Sequence, residues 1–247
     1  MDLDVNAQYY GALKQGQRDY WRYMAAPRWR IATAMSLLSS APPGRVCDLG
    51  CGDGSLLSVV HRRFPEAPLV GIDLSPEQID ANRKGNSWAS WYAFDLDSSD
   101  PLPSGFGGMC DAVMALEVIE HVEDPRRLLS HAFALARPRG RLILSTQSGP
   151  LRETEKRVGH RRHFSVVEMT DLLKSTGWRP LRVWNSGWPF HDLSKWMANL
   201  SPDRSMRQFG ERAYTWRQRI LCACLRGAFK LNSASRGVQL FALAEKP

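Results

Sequence analysis

The chain has 247 residues, 43% of them hydrophobic, enough for one large domain or one domain with additions. Its net charge of +8 leaves nucleic acid, anionic membranes and acidic substrates open as partners. Five cysteines at unequal spacing give no disulfide framework. An acidic start without an apolar run behind it and the absence of a bilayer-length stretch point to a reducing, cytoplasmic setting.

Residues 1–40 read as a helical cap segment. Tyr9, Tyr10, Tyr20, Trp21, Tyr23 and Trp29 crowd it. Its spacing predicts a helix over about 19–38, with Arg18, Arg22, Arg28 and Arg30 interleaved. Such a helix either packs on a sheet edge or forms a lid whose aromatics face an acceptor. Ala41-Pro42-Pro43-Gly44 ends it.

A strand is expected over about 45–49 and a helix over about 54–64. Between them runs Asp48-Leu49-Gly50-Cys51-Gly52-Asp53-Gly54. Three glycines allow a sharp turn and a close approach of backbone to ligand. The spacing is not that of the dinucleotide fingerprint, and the leading acid would repel a phosphate while attracting a cationic amine. This pattern resembles motif I of the class I S-adenosylmethionine-dependent methyltransferases. The resemblance implies that Asp48, Gly50, Cys51, Gly52 and Gly54 surround the methionine part of the cofactor. Cys47 and Cys51 read as small residues around that turn rather than as metal ligands.

Leu69-Val70-Gly71-Ile72-Asp73 is an apolar run ending in an acid, expected as a buried parallel strand. An acid there can accept both ribose hydroxyls. Ser75-Pro76-Glu77 looks like the cap of the next helix, about 76–84, which would leave Asp73 free to do so, with Leu74 beside it. A third strand is expected over about 90–94. The resemblance implies that Asp95 then faces the adenine amino group and Leu96 packs on the ring.

The fourth strand, about 111–116, leads into Glu117-Val118-Ile119-Glu120-His121-Val122. This stretch is similar to the quinone-biosynthesis O-methyltransferases and their relatives. If it is helical, Glu117, Glu120 and His121 share one face. They could bind a divalent cation or form a base with its orienting acid. Alternatively, Glu117 lends only its backbone to the cofactor and Glu120 caps a helix. The Asn/Asp-Pro-Pro-aromatic motif of many nucleic-acid and glutamine amino-methylating enzymes is replaced by Ala115-Leu116-Glu117-Val118.

A helix over about 126–136, a turn at Pro138-Arg139-Gly140 and a strand over about 141–146 follow. A long loop, 147–164, then carries His160, Arg161, Arg162 and His163 at the sheet edge where an acceptor should bind. His163 joins His121 as a candidate base, while His160 and the two arginines are candidate acceptor contacts. Plant-type small-RNA 2′-O-methyltransferases resemble this arrangement, with two Glu and two His around a metal. A metal held by Glu117, Glu120, His121 and His163 is therefore a minor alternative to a metal-free site. A surface basic loop anchored by Phe164 is the plainer reading.

Ser165 to Glu168 is a capping box opening a helix to about 175. Strands are expected over about 180–184 and 237–244, with residues 188–236 inserted between them. Leu193, Trp196, Met197 and Leu200 repeat at helical spacing, and a second helix is expected over about 213–231. From residue 201 to 236, eight basic residues face Asp203 and Glu211. Such a segment could lie on an anionic membrane, cover a hydrophobic acceptor with Trp188 among its contacts, pack as a cap on the core, or form a dimer interface.

The expected fold is α/β: a Rossmann-like, seven-stranded class I methyltransferase sheet over 41–187 plus 237–247, capped by both helical segments. The expected activity is S-adenosylmethionine-dependent methylation, on oxygen, of a small or lipid-like acceptor. RNA methylation, N- or C-methylation of a small intermediate, and a non-catalytic binding role are the alternatives.

Overall fold

The computed structural model describes residues 15–38, 43–102, 105, 107–207 and 213–247. Tyr9, Tyr10, Glu211 and Arg212 lie outside the described residues. The elements are α1 (Gln15–Tyr23), α2 (Ala25–Leu37), β1 (Val46–Leu49), α3 (Ser55–Arg63), β2 (Leu69–Asp73), α4 (Pro76–Gly85) and β3 (Ser90–Ala93). They continue with β4 (Cys110–Leu116), α5 (Pro125–Leu135), β5 (Ala136–Gln147), α6 (Glu153–Arg157), α7 (Val166–Ser175) and β6 (Arg179–Ser186). The chain then forms α8 (Phe190–Leu200), α9 (Pro202–Met206), α10 (Trp216–Phe229) and β7 (Gln239–Glu245).

The strands form one sheet in the order β3-β2-β1-β4-β5-β7-β6. β1 to β5 are parallel, and β7 runs antiparallel between β5 and β6. Alternation along each strand sorts the core into two layers. Val46, Leu69, Met114 and Ile143 pack with Met35, Leu57 and Ile79 of α2, α3 and α4. Leu49, Val70, Val113 and Leu142 pack with Leu129 and Leu173 of α5 and α7. Both faces being covered, the inner strands are apolar runs rather than half-polar ones.

Three sequence expectations change. The single N-terminal helix is broken at Met24, which is extended (φ −60°, ψ 141°). Pro27 explains the break: its ring would collide with the Tyr23 carbonyl if one helix ran through both. The turn at Pro138-Arg139-Gly140 lies inside β5 as an irregularity, with Arg139 at φ 63° and a register shift between Cys110 and Ala112. The 147–164 loop contains the one-turn helix α6, whose start is closed by the Arg152 N–H donating to Glu155 Oε2 at 2.6 Å.

The sequence left the direction of α8 open. Its apolar stripe does not pack on the core: Leu193, Trp196, Met197 and Leu200 are 48%, 51%, 59% and 61% exposed. The polar side turns inward instead, with His191 buried and the Lys195 side chain 15% exposed. Trp29 of α2 sits where the cap meets the sheet, its ring 5.4 Å from His191, 5.9 Å from Phe229 and 5.5 Å from Phe241. The Tyr214 N–H donates to Asp19 Oδ2 at 2.7 Å, tying α1 to the segment before α10.

The turn after β1 is equally constrained. Gly50 stands at φ 69°, and an added Cβ would run into the γ-methyl groups of Val118. Gly50→Ala is expected to cost about 3 kcal/mol, combining a left-handed alanine with an unyielding β-branched neighbour. Urea unfolding of the variant measures this; a cost under about 1 kcal/mol would mean that the Val118 segment yields freely.

Candidate functional site

The Gly50 and Cys51 N–H groups donate to the Ile72 carbonyl at 2.8 and 3.0 Å. The Gly52 N–H donates to Asp73 Oδ2 at 2.8 Å, and Asn82 Nδ2 donates to the Gly52 carbonyl at 2.7 Å. The turn after β1 is thus held between the end of β2 and α4. Ser75 caps α4 as expected, its Oγ accepting from the Gln78 N–H at 3.2 Å. Asp73 is not left free, however, because it also accepts the Ser75 N–H at 3.0 Å. Burial raises the Asp73 carboxyl, against the pull of these N–H groups.

A cavity of about 1050 Å³ opens beside this turn. Gly50, Gly52, Asp53, Asp73 and Leu74 line one end, with Asp95 and Leu96 adjoining them. A Cβ added at Gly52 would meet nothing within 4 Å, so the turn presents bare backbone to open space. Asp48, Cys51 and Gly54 do not line the cavity. Cys51 belongs to the core between the sheet and α3. Asp48 is buried, and that burial, followed by the charges of Asp73 and Asp53, raises its carboxyl well above the usual range.

The Glu117 to Val122 stretch is a turn rather than a helix, and Glu117 stands at φ 58°. This separates the two glutamates. Glu117 accepts hydrogen bonds from Ser145 Oγ (2.8 Å), Gln147 Nε2 (3.0 Å) and Gln239 Nε2 (2.7 Å), and Arg30 lies 3.7 Å away. Burial opposes its ionisation, but Arg30 and these three donors prevail and hold its carboxyl at about 2. Its carboxylate is fully engaged by protein. Glu120 is buried in another direction: Oε2 accepts from Thr146 Oγ1 at 2.8 Å, and Oε1 has no hydrogen-bond partner. Burial, then the Glu117 charge, raises the Glu120 carboxyl well above the ordinary range.

The histidines form a chain. His163 Nδ1 lies 3.0 Å from the Gly149 carbonyl, which can only accept, so Nδ1 carries the proton. His163 Nε2 then accepts from His160 Nδ1 at 3.2 Å. Burial, aided by the nearby His121 and Lys195, lowers His160 to about 2, so its ring is neutral and its lone pair sits on Nε2. Burial likewise lowers His121 to about 4, against the charge of Glu117 and a hydrogen bond to the Gly159 backbone. The His121 and His160 rings are 4.7 Å apart. One ligand atom each from Glu120, His121 and His160 lie within 4.8 Å of one another.

The sequence-predicted set is corrected accordingly. Glu117 and His163 do not belong to a metal-ligating cluster; His163 stands behind His160 and does not line the cavity. Arg161 reaches the cavity but is spent on the His121 carbonyl (3.1 Å) and on Glu123 (3.2 Å). Arg162 is exposed, donates to the Glu123 carbonyl and lies off the cavity. Trp188 is also exposed and off the cavity. The sequence reading missed Arg30, Glu155 and Lys195. Lys195 Nζ lies 2.5 Å from Glu155 Oε1 and also bonds Gln147 Oε1. No local signal marks it, because on α8 it falls opposite the apolar stripe and reads as a solvated residue.

At the far end the cavity is roofed by Met24, Phe190, Leu193, Met197, Leu221 and Leu225. Tyr20 and Trp21 of α1 also line it, whereas Trp29 of α2 packs against Phe241. The two halves of the N-terminal segment thus differ: α1 borders the cavity, and α2 packs on the face of the sheet rather than on its edge.

The profile of the methyltransferase-domain family matches residues 20–183. Among curated relatives, a malonyl-[acyl-carrier protein] O-methyltransferase of Anoxybacillus flavithermus is 24% identical over 73% of this chain and 64% of its own length. A ubiquinone biosynthesis O-methyltransferase of Xanthomonas campestris is 37% identical over 42% of this chain and 44% of its own. The chain therefore spans less than two thirds of either relative. Among solved structures, geranyl diphosphate C-methyltransferase from Streptomyces coelicolor, in complex with Mg2+, geranyl-S-thiolodiphosphate and S-adenosyl-L-homocysteine, shares the fold with a TM-score of 0.66 at 14% identity. That likeness covers 100% of this chain and 98% of the other. With its strand order, acid-led glycine turn and family match, the chain belongs to the methyltransferase-domain family and is a class I S-adenosylmethionine-dependent methyltransferase.

Proposed function

We propose that the chain methylates an oxygen of a small, lipid-like acceptor held under α8 and α10. The observation that carries this reading is the continuity of one cavity from the acid-lined glycine turn, past two neutral imidazoles, to an apolar roof. S-adenosylmethionine supplies a methyl group made electrophilic by its sulfonium. In this reading Asp73 takes the ribose hydroxyls, Asp95 and Leu96 take the adenine, and the open backbone at Gly52 admits the amino-acid end. The roof excludes water and holds the acceptor in line, so that proximity supplies much of the rate. Two curated relatives are named O-methyltransferases, which agrees with an oxygen acceptor.

The outward-facing stripe of α8 supports a lipid-like acceptor. Leu193, Met197 and Leu200 border the cavity while remaining exposed, and Arg204 lies beside them on the same rim. An apolar, basic-rimmed entrance suits a peripheral contact with an anionic membrane.

The test is methyl transfer from tritiated cofactor to long-chain phenols and alcohols in anionic vesicles, with RNA in parallel. In this reading His160 orients the acceptor oxygen, and His160→Asn is expected to lower kcat about 100-fold while affinity for S-adenosylhomocysteine is kept. Labelling of RNA alone would overturn the acceptor class, and an unimpaired variant would remove His160 from the reaction.

A further inference from the structure

We propose that Glu120, His121 and His160 hold a divalent transition-metal cation, zinc or manganese, on the floor of the cavity. Their ligand atoms lie within 4.8 Å of one another, close enough for one ion to reach all three. Two imidazoles and one carboxylate are a known set for such ions when some positions stay open.

Three independent features of the floor point to a cation. The first is Glu120 itself. Its side chain is wholly buried, and Oε1 has no hydrogen-bond partner. A buried carboxyl oxygen without a donor is an uncompensated loss of hydration, which a metal ion would offset. The second is the proton order of the histidine chain. Gly149 fixes the proton of His163, His163 takes that of His160, and the lone pair of His160 is left on Nε2. A metal-binding imidazole is oriented in this way by the partner of its other nitrogen, so His163 is a positioning residue. The third is the charge around the cluster. Arg30, Lys195 and Arg161 would each repel a cation, yet Glu117 (3.7 Å), Glu155 (2.5 Å) and Glu123 (3.2 Å) respectively pair with them. Among the described residues Glu120 forms no ion pair, so its free carboxyl oxygen is left for the ion.

His121 and His160 line the cavity, so the open positions of the ion face the acceptor. An acceptor hydroxyl bound there would be a stronger acid and would give up its proton to solvent; its oxygen would then bond the methyl carbon as the methyl–sulfur bond breaks, leaving S-adenosylhomocysteine. This role rests on the oxygen-methylation reading; the binding of the ion does not.

Full-length protein stripped with a chelator is titrated with Zn2+ and with Mn2+ by calorimetry. One ion should bind per chain, and Glu120→Gln and His160→Asn should each weaken binding about tenfold or more. His131→Asn, on α5, should bind as the wild type does. Affinity for S-adenosylhomocysteine, measured on every variant, shows which of them are folded. Should either site variant fail to fold, zinc-edge X-ray absorption of the wild type decides, with scattering from two imidazoles expected. Absence of uptake by the stripped wild type, or a spectrum without imidazole, overturns the site. Metal binding without methylation of any oxygen acceptor would instead sink the acceptor reading and leave the site standing.

Discussion

Replacing Arg30 by methionine should lower stability by about 3–5 kcal/mol, because it strands a buried anion. For a chain of this size that is a fall in melting temperature of roughly 10 °C. Arg30 reaches from α2 to Glu117 at the end of β4, and both side chains are almost completely buried, at 7% and 12% exposure. Without the guanidinium, Ser145, Gln147 and Gln239 still donate to Glu117, but its charge is no longer balanced. The pH dependence follows from the depressed carboxyl. Glu117 titrates near 2 in the fold, below its ordinary 4.5, so its contribution is complete above about pH 4.5 and fades as the pH falls toward 2. The gap between wild type and Arg30→Met should therefore be constant at neutral pH and narrow in acid. Denaturant unfolding at neutral pH and near pH 3 measures both. A neutral-pH loss below about 1 kcal/mol would show that the three hydrogen bonds support Glu117 without the cation.

The second large effect is expected at Asp73. Asp73→Ala should raise the Kd for S-adenosylhomocysteine roughly 100-fold, about 3 kcal/mol. The carboxylate shapes the glycine turn through the Gly52 N–H, and in the proposed role it also receives the ribose. Calorimetric titration tests this, with melting temperature as a control for the lost Ser75 and Gly52 contacts. A change of less than about fivefold would move the ribose away from Asp73.

Much of this was legible in the sequence because the signals were local. The glycine turn, the acid ending β2 and the capping boxes each depend on residues a few positions apart. The order of apolar runs, read with the family resemblance, therefore pointed to a seven-stranded sheet. The residues that complete the site were not legible for the opposite reason. Arg30 meets Glu117, and Lys195 meets Glu155, across long separations in the chain. His160 and His163 are alternatives by spacing; the Gly149 carbonyl makes one the cavity residue and the other its support. The inward face of α8 was not legible because periodicity finds an apolar stripe without saying which way it points. Here the stripe faces outward, and the side that looks solvated carries His191 and Lys195.

The position of β7 has a consequence for how the molecule is made. β5 and β6 do not touch as neighbours; each pairs with a strand that leaves the ribosome more than fifty residues after β6 is complete. Until then the edges of β5 and β6 that β7 covers stand unsatisfied, and Gln239, which bonds Glu117, has yet to be made. The nascent protein is accordingly most open to faulty edge-to-edge association during synthesis of the α8–α10 segment. A shortened connection there should improve the yield of folded protein even if it removes the roof.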